Sequence, residues 1–135
     1  MTGDLILVIE ANEANSMLAQ AVLEREGFRV EIAASAAEAE QSLRSISPDL
    51  ILMDVNLPGL DGLSLSRRLR DAPSSSDIPI VALTAHAMLG DRELALEAGC
   101  DAYIPKPIET RTIAEQLREV IAAAAPRTRG RSLAS

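Results

Sequence analysis

The chain alternates between short apolar runs and longer segments of helical periodicity, and this alternation most constrains its fold. Near-continuous apolar runs lie at 5–9 (LILVI), 50–53 (LILM), 80–83 (IVAL) and 102–104 (AYI). Each is of strand length and lacks the alternation of a strand with one wet face. Each therefore reads as a strand buried on both sides, in a parallel sheet. A fifth run, 29–33 (RVEIA), does alternate, as a more exposed strand would.

The intervening segments carry helical spacing. Residues 13–26 place Met17, Leu18, Ala21 and Val22 on one stripe, with Gly27 as a stop. Ser35 reads as the N-cap of a helix reaching about residue 43. Leu63, Leu65 and Leu69 offer a third apolar face, and residues 90–98 precede a stop at Gly99. A last helix carries Ile113, Leu117, Val120, Ile121 and Ala124, and Pro126 is expected to end it. Strand–helix repeated five times predicts a doubly wound α/β domain, helices on both faces of a five-stranded parallel sheet. All strand C-termini then share one edge, outside which sites form.

With 135 residues there is room for one domain, expected over 1–125. Residues 126–135, polar with three Arg, are expected to be a short basic, disordered tail, either inert or a docking segment. Aromatic residues are 1% of the chain, so the core is aliphatic and a base-stacking platform is excluded. A net charge of −7 argues against nucleic acid as a direct partner. One cysteine, Cys100, and one histidine, His86, exclude an internal disulfide and a zinc site. Cys100 reads as a small buried residue rather than a redox group. The N-terminus has no signal-peptide pattern, and no apolar stretch approaches the ~18–20 residues of a membrane span. The expected compartment is the cytoplasm.

The chemistry gathers after the strands. Glu10 follows the first, Asp54 the third, Thr84 the fourth, and Lys106, the only lysine of the chain, follows the last between Pro105 and Pro107. A carboxylate closing the strand LILMD faces the crevice and can act as a nucleophile toward phosphorus. Phosphoryl transfer needs charge management more than covalent help. Glu10, Asp54 and a main-chain carbonyl near Asn56 are the oxygen ligands on offer to Mg2+. Lys106 and Thr84 offer a point charge and a hydroxyl to phosphoryl oxygens. Singly, each has a plainer reading, Asp54 as a turn residue, Thr84 as a helix start, Lys106 as solvated surface. Their joint placement along one edge favours the site.

The segments LILVIEANEAN, PDLILMDVNLPGLDGL, IPIVALTAHAM and AGCDAYIPKPI resemble a response-regulator receiver domain of the CheY-like superfamily. The resemblance covers residues 5–124, and within the family the chain is similar to stand-alone regulators of the DivK type. It implies a flavodoxin-like sheet in the order 2-1-3-4-5. It further implies that Asp54 accepts a phosphoryl group from a histidine kinase or histidine phosphotransfer protein. Glu10, Asp54 and the Asn56 carbonyl would hold Mg2+. Thr84 and Lys106 would contact the phosphoryl group, and Tyr103 would be the aromatic switch. The surface near Tyr103 would face a downstream protein target, and the first helix the kinase. Asn56 and His86 would tune the dephosphorylation rate, with an exposed loop residue as the plainer reading of His86.

One position departs from the family. Its acidic pair reads Glu10–Ala11 here, and Ala11 has no ligand atom. Magnesium binding and phosphorylation are expected to be impaired as a result. Three explanations stand: a phosphorylation-independent pseudo-receiver adaptor, a weakly phosphorylated receiver that relies on Glu10, or an engineered change. A phosphatase of the haloacid-dehalogenase type would want an aspartate where Asn56 stands and a cap insertion that is absent. A dinucleotide site would need a Gly-x-Gly-x-x-Gly run that is also absent. The chain therefore reads as a phosphoacceptor, with an adaptor as the alternative, rather than as an enzyme.

Overall fold

The computed structural model describes residues 3–57, 62–73, 75–84, 91–106 and 108–134, without the side chains of 91–92 and 125–134. Five strands, β1 (Leu5–Ile9), β2 (Arg29–Ala33), β3 (Leu50–Asp54), β4 (Ile80–Thr84) and β5 (Ala102–Pro105), alternate with five helices. These are α1 (Glu13–Arg25), α2 (Ala36–Ser42), α3 (Gly62–Asp71), α4 (Asp91–Glu97) and α5 (Ile113–Ala134). The strands form one parallel sheet in the order β2-β1-β3-β4-β5. The expected fold class and strand order are both present.

Period-two side-chain alternation splits the apolar strands between two layers. Leu7, Ile9, Ile51, Met53, Ile80 and Ala82 face α2, α3 and α4, where Ala39, Leu65, Leu69 and Ala95 meet them. Ile6, Val8, Leu50, Leu52, Val81 and Leu83 face α1 and α5, against Val22, Leu23, Ile113 and Leu117. Every residue of β3 and β4 is buried, which is why those runs show no polar alternation. β2, at one edge, does alternate between exposed and partly buried positions.

Local signals place the helix ends. The Asn12 side chain caps α1 by accepting from the Asn15 amide, and Ser35 caps α2 by accepting from Glu38. Gly27 and Gly99 take φ of 98° and 100°, the left-handed region that ends a helix.

Three expectations are corrected. β5, expected to be buried on both faces, is a partly exposed edge strand in which only Ile104 is buried. On α1 the buried residues are Ser16, Ala19, Val22 and Leu23, while Met17 and Leu18 are exposed. The stripe is turned by roughly one residue because small Ser16 and Ala19 let the helix lie close to the sheet. The Ser16 hydroxyl is satisfied by donating to the Glu13 carbonyl. On α5 the backbone stays helical to Ala134, past Pro126. Proline removes one amide donor there, and the preceding run Ala122–Ala125 is the strongest helix former available.

Candidate functional site

Topology brings Glu10, Asp54 and Lys106 together from three different strand ends. β1 lies beside β3, which carries Glu10 next to Asp54, and β5 reaches over from beyond β4. Glu10 and Asp54 are buried, at 5% and 3% exposure. Lys106 Nζ donates to Asp54 Oδ2 at 2.7 Å and lies 3.3 Å from Glu10 Oε1. Two buried carboxylates thus share one ammonium, the pairing that buried charge requires.

Main-chain amides complete the arrangement. The Asn56 amide donates to Asp54 Oδ1 at 2.9 Å, and the Asn12 amide donates to Glu10 Oε2 at 3.1 Å. Each carboxylate is held at both oxygens, one by Lys106 and one by backbone. This aims Asp54 and Glu10 into the crevice instead of leaving them free to rotate. The Lys106 amide donates to the Thr84 carbonyl at 2.7 Å, fixing the start of the lysine loop to the end of β4.

These contacts shift the ionisable groups. Burial pushes the Glu10 carboxyl above its usual range, reinforced by a hydrogen bond to Asp54 and opposed by the Asn12 amide. Burial alone would pull Lys106 down, but the hydrogen bond and charge of Asp54, with Glu10, more than offset it and hold the ammonium above its ordinary value. Lys106 is therefore a permanent cation at the site.

Thr84 is buried at the last position of β4, opposite Pro105. Tyr103 is half-buried on β5, beside Ala82 in register, and packs against the α2–α3–α4 layer. Asn56 is exposed just after β3. Ala11 is exposed between Glu10 and the α1 cap. His86, the residues 58–61 of the LPGLDG segment and Pro107 lie outside the described residues. Cys100 is buried, its thiol pushed up by burial and 3.5 Å from the Ser66 hydroxyl.

The donor set fits a magnesium ion that keeps several waters. Two carboxylates converge on one point, and such an ion needs only one or two plus carbonyl and water oxygens. A third acidic side chain is missing: among the described residues no cluster of three His, Cys, Asp or Glu could hold a metal.

Sequence reasoning did not single out Gly62. A Cβ there would lie 2.6 Å from the Asp54 carbonyl oxygen and from Val55 Cα, so only glycine lets α3 begin against the end of β3. The Asp-Gly dipeptide before an apolar helix was the available signal.

Residues 6–118 match the response regulator receiver domain family. The polar-differentiation response regulator DivK of Brucella ovis is 37% identical over 116 residues, covering 86% of this chain and 94% of that protein. The receiver domain of a sensor histidine kinase from Pseudomonas aeruginosa, with a magnesium ion coordinated in its active-site cleft, is 38% identical, with a TM-score of 0.82. That match covers 90% of this chain and 99% of the other. A CheY-like receiver protein from Methanospirillum hungatei superposes with a TM-score of 0.84 at 28% identity, covering 93% and 99% of the two chains. Among the described residues no helix is long and apolar enough to cross a membrane.

Proposed function

Since this chain belongs to the response-regulator receiver domain family, we propose that it is a cytoplasmic regulator that accepts a phosphoryl group on Asp54. The observation that carries this reading is the Lys106 ammonium, 2.7 Å from Asp54 Oδ2 and 3.3 Å from Glu10 Oε1, both carboxylates being buried. The donor is the phosphohistidine of a histidine kinase or phosphotransfer protein. An Asp54 carboxylate oxygen attacks phosphorus, the P–N bond breaks, and the departing imidazole nitrogen takes up a proton. An acyl phosphate is left on Asp54.

The chain's own residues supply most of the management. The Asn56 amide presents Asp54 in one orientation. Lys106 stays charged and moves its contact from the carboxylate to a phosphoryl oxygen. Thr84 supplies a hydroxyl to another, and Tyr103 turns with it, altering the surface offered to a downstream protein. Asn56, just after β3, and His86, two residues past Thr84 in the sequence, tune the dephosphorylation rate. Glu10, Asp54 and the Asn56 carbonyl would hold magnesium, which would neutralise charge on the transferring group. Its binding is weakened by Ala11.

Ala11 also favours a second reading, a phosphorylation-independent adaptor on the same fold. Intact mass after exposure to acetyl phosphate, with and without magnesium, separates the two. A gain of one phosphoryl group, lost in Asp54→Asn, is the expected result. No gain in the parent protein, with gain in Ala11→Asp, would establish the adaptor instead.

A further inference from the structure

β5 carries Tyr103 and runs directly into Lys106, yet it is the most weakly supported strand of the sheet. It is four residues long and lies at an edge, with β4 as its only strand neighbour. A slip of one residue would send Tyr103 to the opposite face and carry Lys106 away from Asp54. Something must therefore set the β4–β5 register.

Arg70, at the end of α3, meets this need. Its Nε donates to the Gly99 carbonyl at 2.8 Å. Its Nη1 donates to the carbonyls of Ile78 at 2.6 Å and Ser76 at 3.2 Å, just before β4. Its Nη2 donates to Asp101 Oδ2, just before β5. That same carboxylate oxygen accepts the Ile80 amide at 2.9 Å, while the Asp101 amide donates to the Ile80 carbonyl at 2.7 Å. Asp101 thus brackets Ile80, the first residue of β4, and Arg70 holds the bracket closed. From that point the pairing runs Val81 with Ala102, Ala82 with Tyr103 and Thr84 with Pro105. It delivers the Lys106 amide to the Thr84 carbonyl. Gly99 is shaped by the same side chain: a Cβ there would stand 2.5 Å from Arg70 Cγ.

We propose that Arg70 and Asp101 form a register lock that positions Lys106 and Tyr103 from the opposite end of β4 and β5. They are positioning residues, since neither contacts Asp54. The lock rests on the phosphoacceptor reading only for its effect on rate; its effect on strand order is independent of it.

The test compares Arg70→Ala, Asp101→Ala, the double variant, and Val22→Ala, a destabilised control whose side chain lies in the α1 core. Two readouts are taken: amide exchange of β5 in the unmodified protein, and the rate of phosphoryl gain from acetyl phosphate with magnesium. Both single variants are expected to lose β5 protection and to slow phosphoryl gain at least tenfold. The double variant should do no worse than either single, because the pair acts as a unit. Val22→Ala, with a comparable fall in melting temperature, should change the rate less than twofold. The lock is overturned if Val22→Ala slows the reaction as much as Arg70→Ala, or if the two lock substitutions multiply. If the parent protein gains no phosphoryl group, the phosphoacceptor reading fails and exchange alone is diagnostic. Lost β5 protection in both singles then upholds the lock, and unchanged protection overturns it.

Discussion

Lys106 Nζ lies 2.7 Å from Asp54 Oδ2, across 52 residues of sequence and from opposite sides of β4. The contact gives a buried carboxylate its countercharge. Under the phosphoacceptor reading it also places a cation where a phosphoryl oxygen would arrive. Stability and chemistry at this site therefore depend on the same atoms, and substitutions there are expected to separate them.

Glu10→Gln tests the electrostatic side. The Glu10 carboxyl is raised from 4.5, chiefly by burial and then by Asp54. A raised carboxyl means that the folded state binds the proton more tightly than the unfolded state. Its contribution is fully present below the unfolded value and is lost as pH rises through the folded value. Gln keeps an acceptor for the Asn12 amide and carries no charge. Urea unfolding of Glu10→Gln should give a higher midpoint than the parent at pH 7.5, with the difference closing below pH 4.5. An unchanged difference across that window would show that Glu10 is not the group responsible.

Ala11→Asp tests the missing ligand. The added carboxylate should tighten magnesium binding by at least about tenfold, the smallest loss associated with even an outer partner of a metal site. Without metal it adds like charge beside two buried carboxylates and should lower the melting temperature. Calorimetric titration with magnesium and melting curves with and without it read the two effects. A variant more stable than the parent without metal would contradict the charge argument.

Gly62→Ala tests the backbone contact behind the acceptor. The new methyl group would meet the Asp54 carbonyl oxygen and Val55 Cα, neither of which is a flexible side chain. A cost of about 1–3 kcal/mol is expected from overpacking. The shift should also loosen the Asn56 amide from Asp54 Oδ1 and slow phosphoryl gain. Chemical denaturation and the mass assay together check it, and a neutral substitution would mean that α3 can move away freely.

Cys100 should be unreactive in the folded protein. It is buried, and burial also raises its thiol above the ordinary range. Labelling at pH 8 should be slower than in the unfolded chain by on the order of a hundredfold or more, the factor a local opening of a few kcal/mol imposes. Labelling as fast as in denaturant would show that the α4–β5 turn opens readily, which would also weigh against the Arg70 clamp.

Much of this protein was legible along the chain. Apolar runs without polar alternation marked β1, β3 and β4, because both faces of those strands are covered. The cap at Ser35 and the stops at Gly27 and Gly99 are local backbone chemistry, readable wherever such residues occur. Asp54 and Lys106 were visible because a charged residue directly after an apolar strand has few places to point. What remained hidden depends on contacts between distant segments. Period alone could not tell which of two neighbouring stripes on α1 faces inward; Ser16 and Ala19 were chosen by how closely the helix meets the sheet. Arg70 looked like one of twelve arginines until α3, the loop before β4 and the α4–β5 turn closed around it. Gly62 looked like part of a turn, and only the fold brings the end of β3 against it. Local propensity and hydrophobic period act over a few residues and survive in the linear order. Close packing and shared hydrogen bonds act between residues far apart in the chain, and exist only once the sheet has assembled.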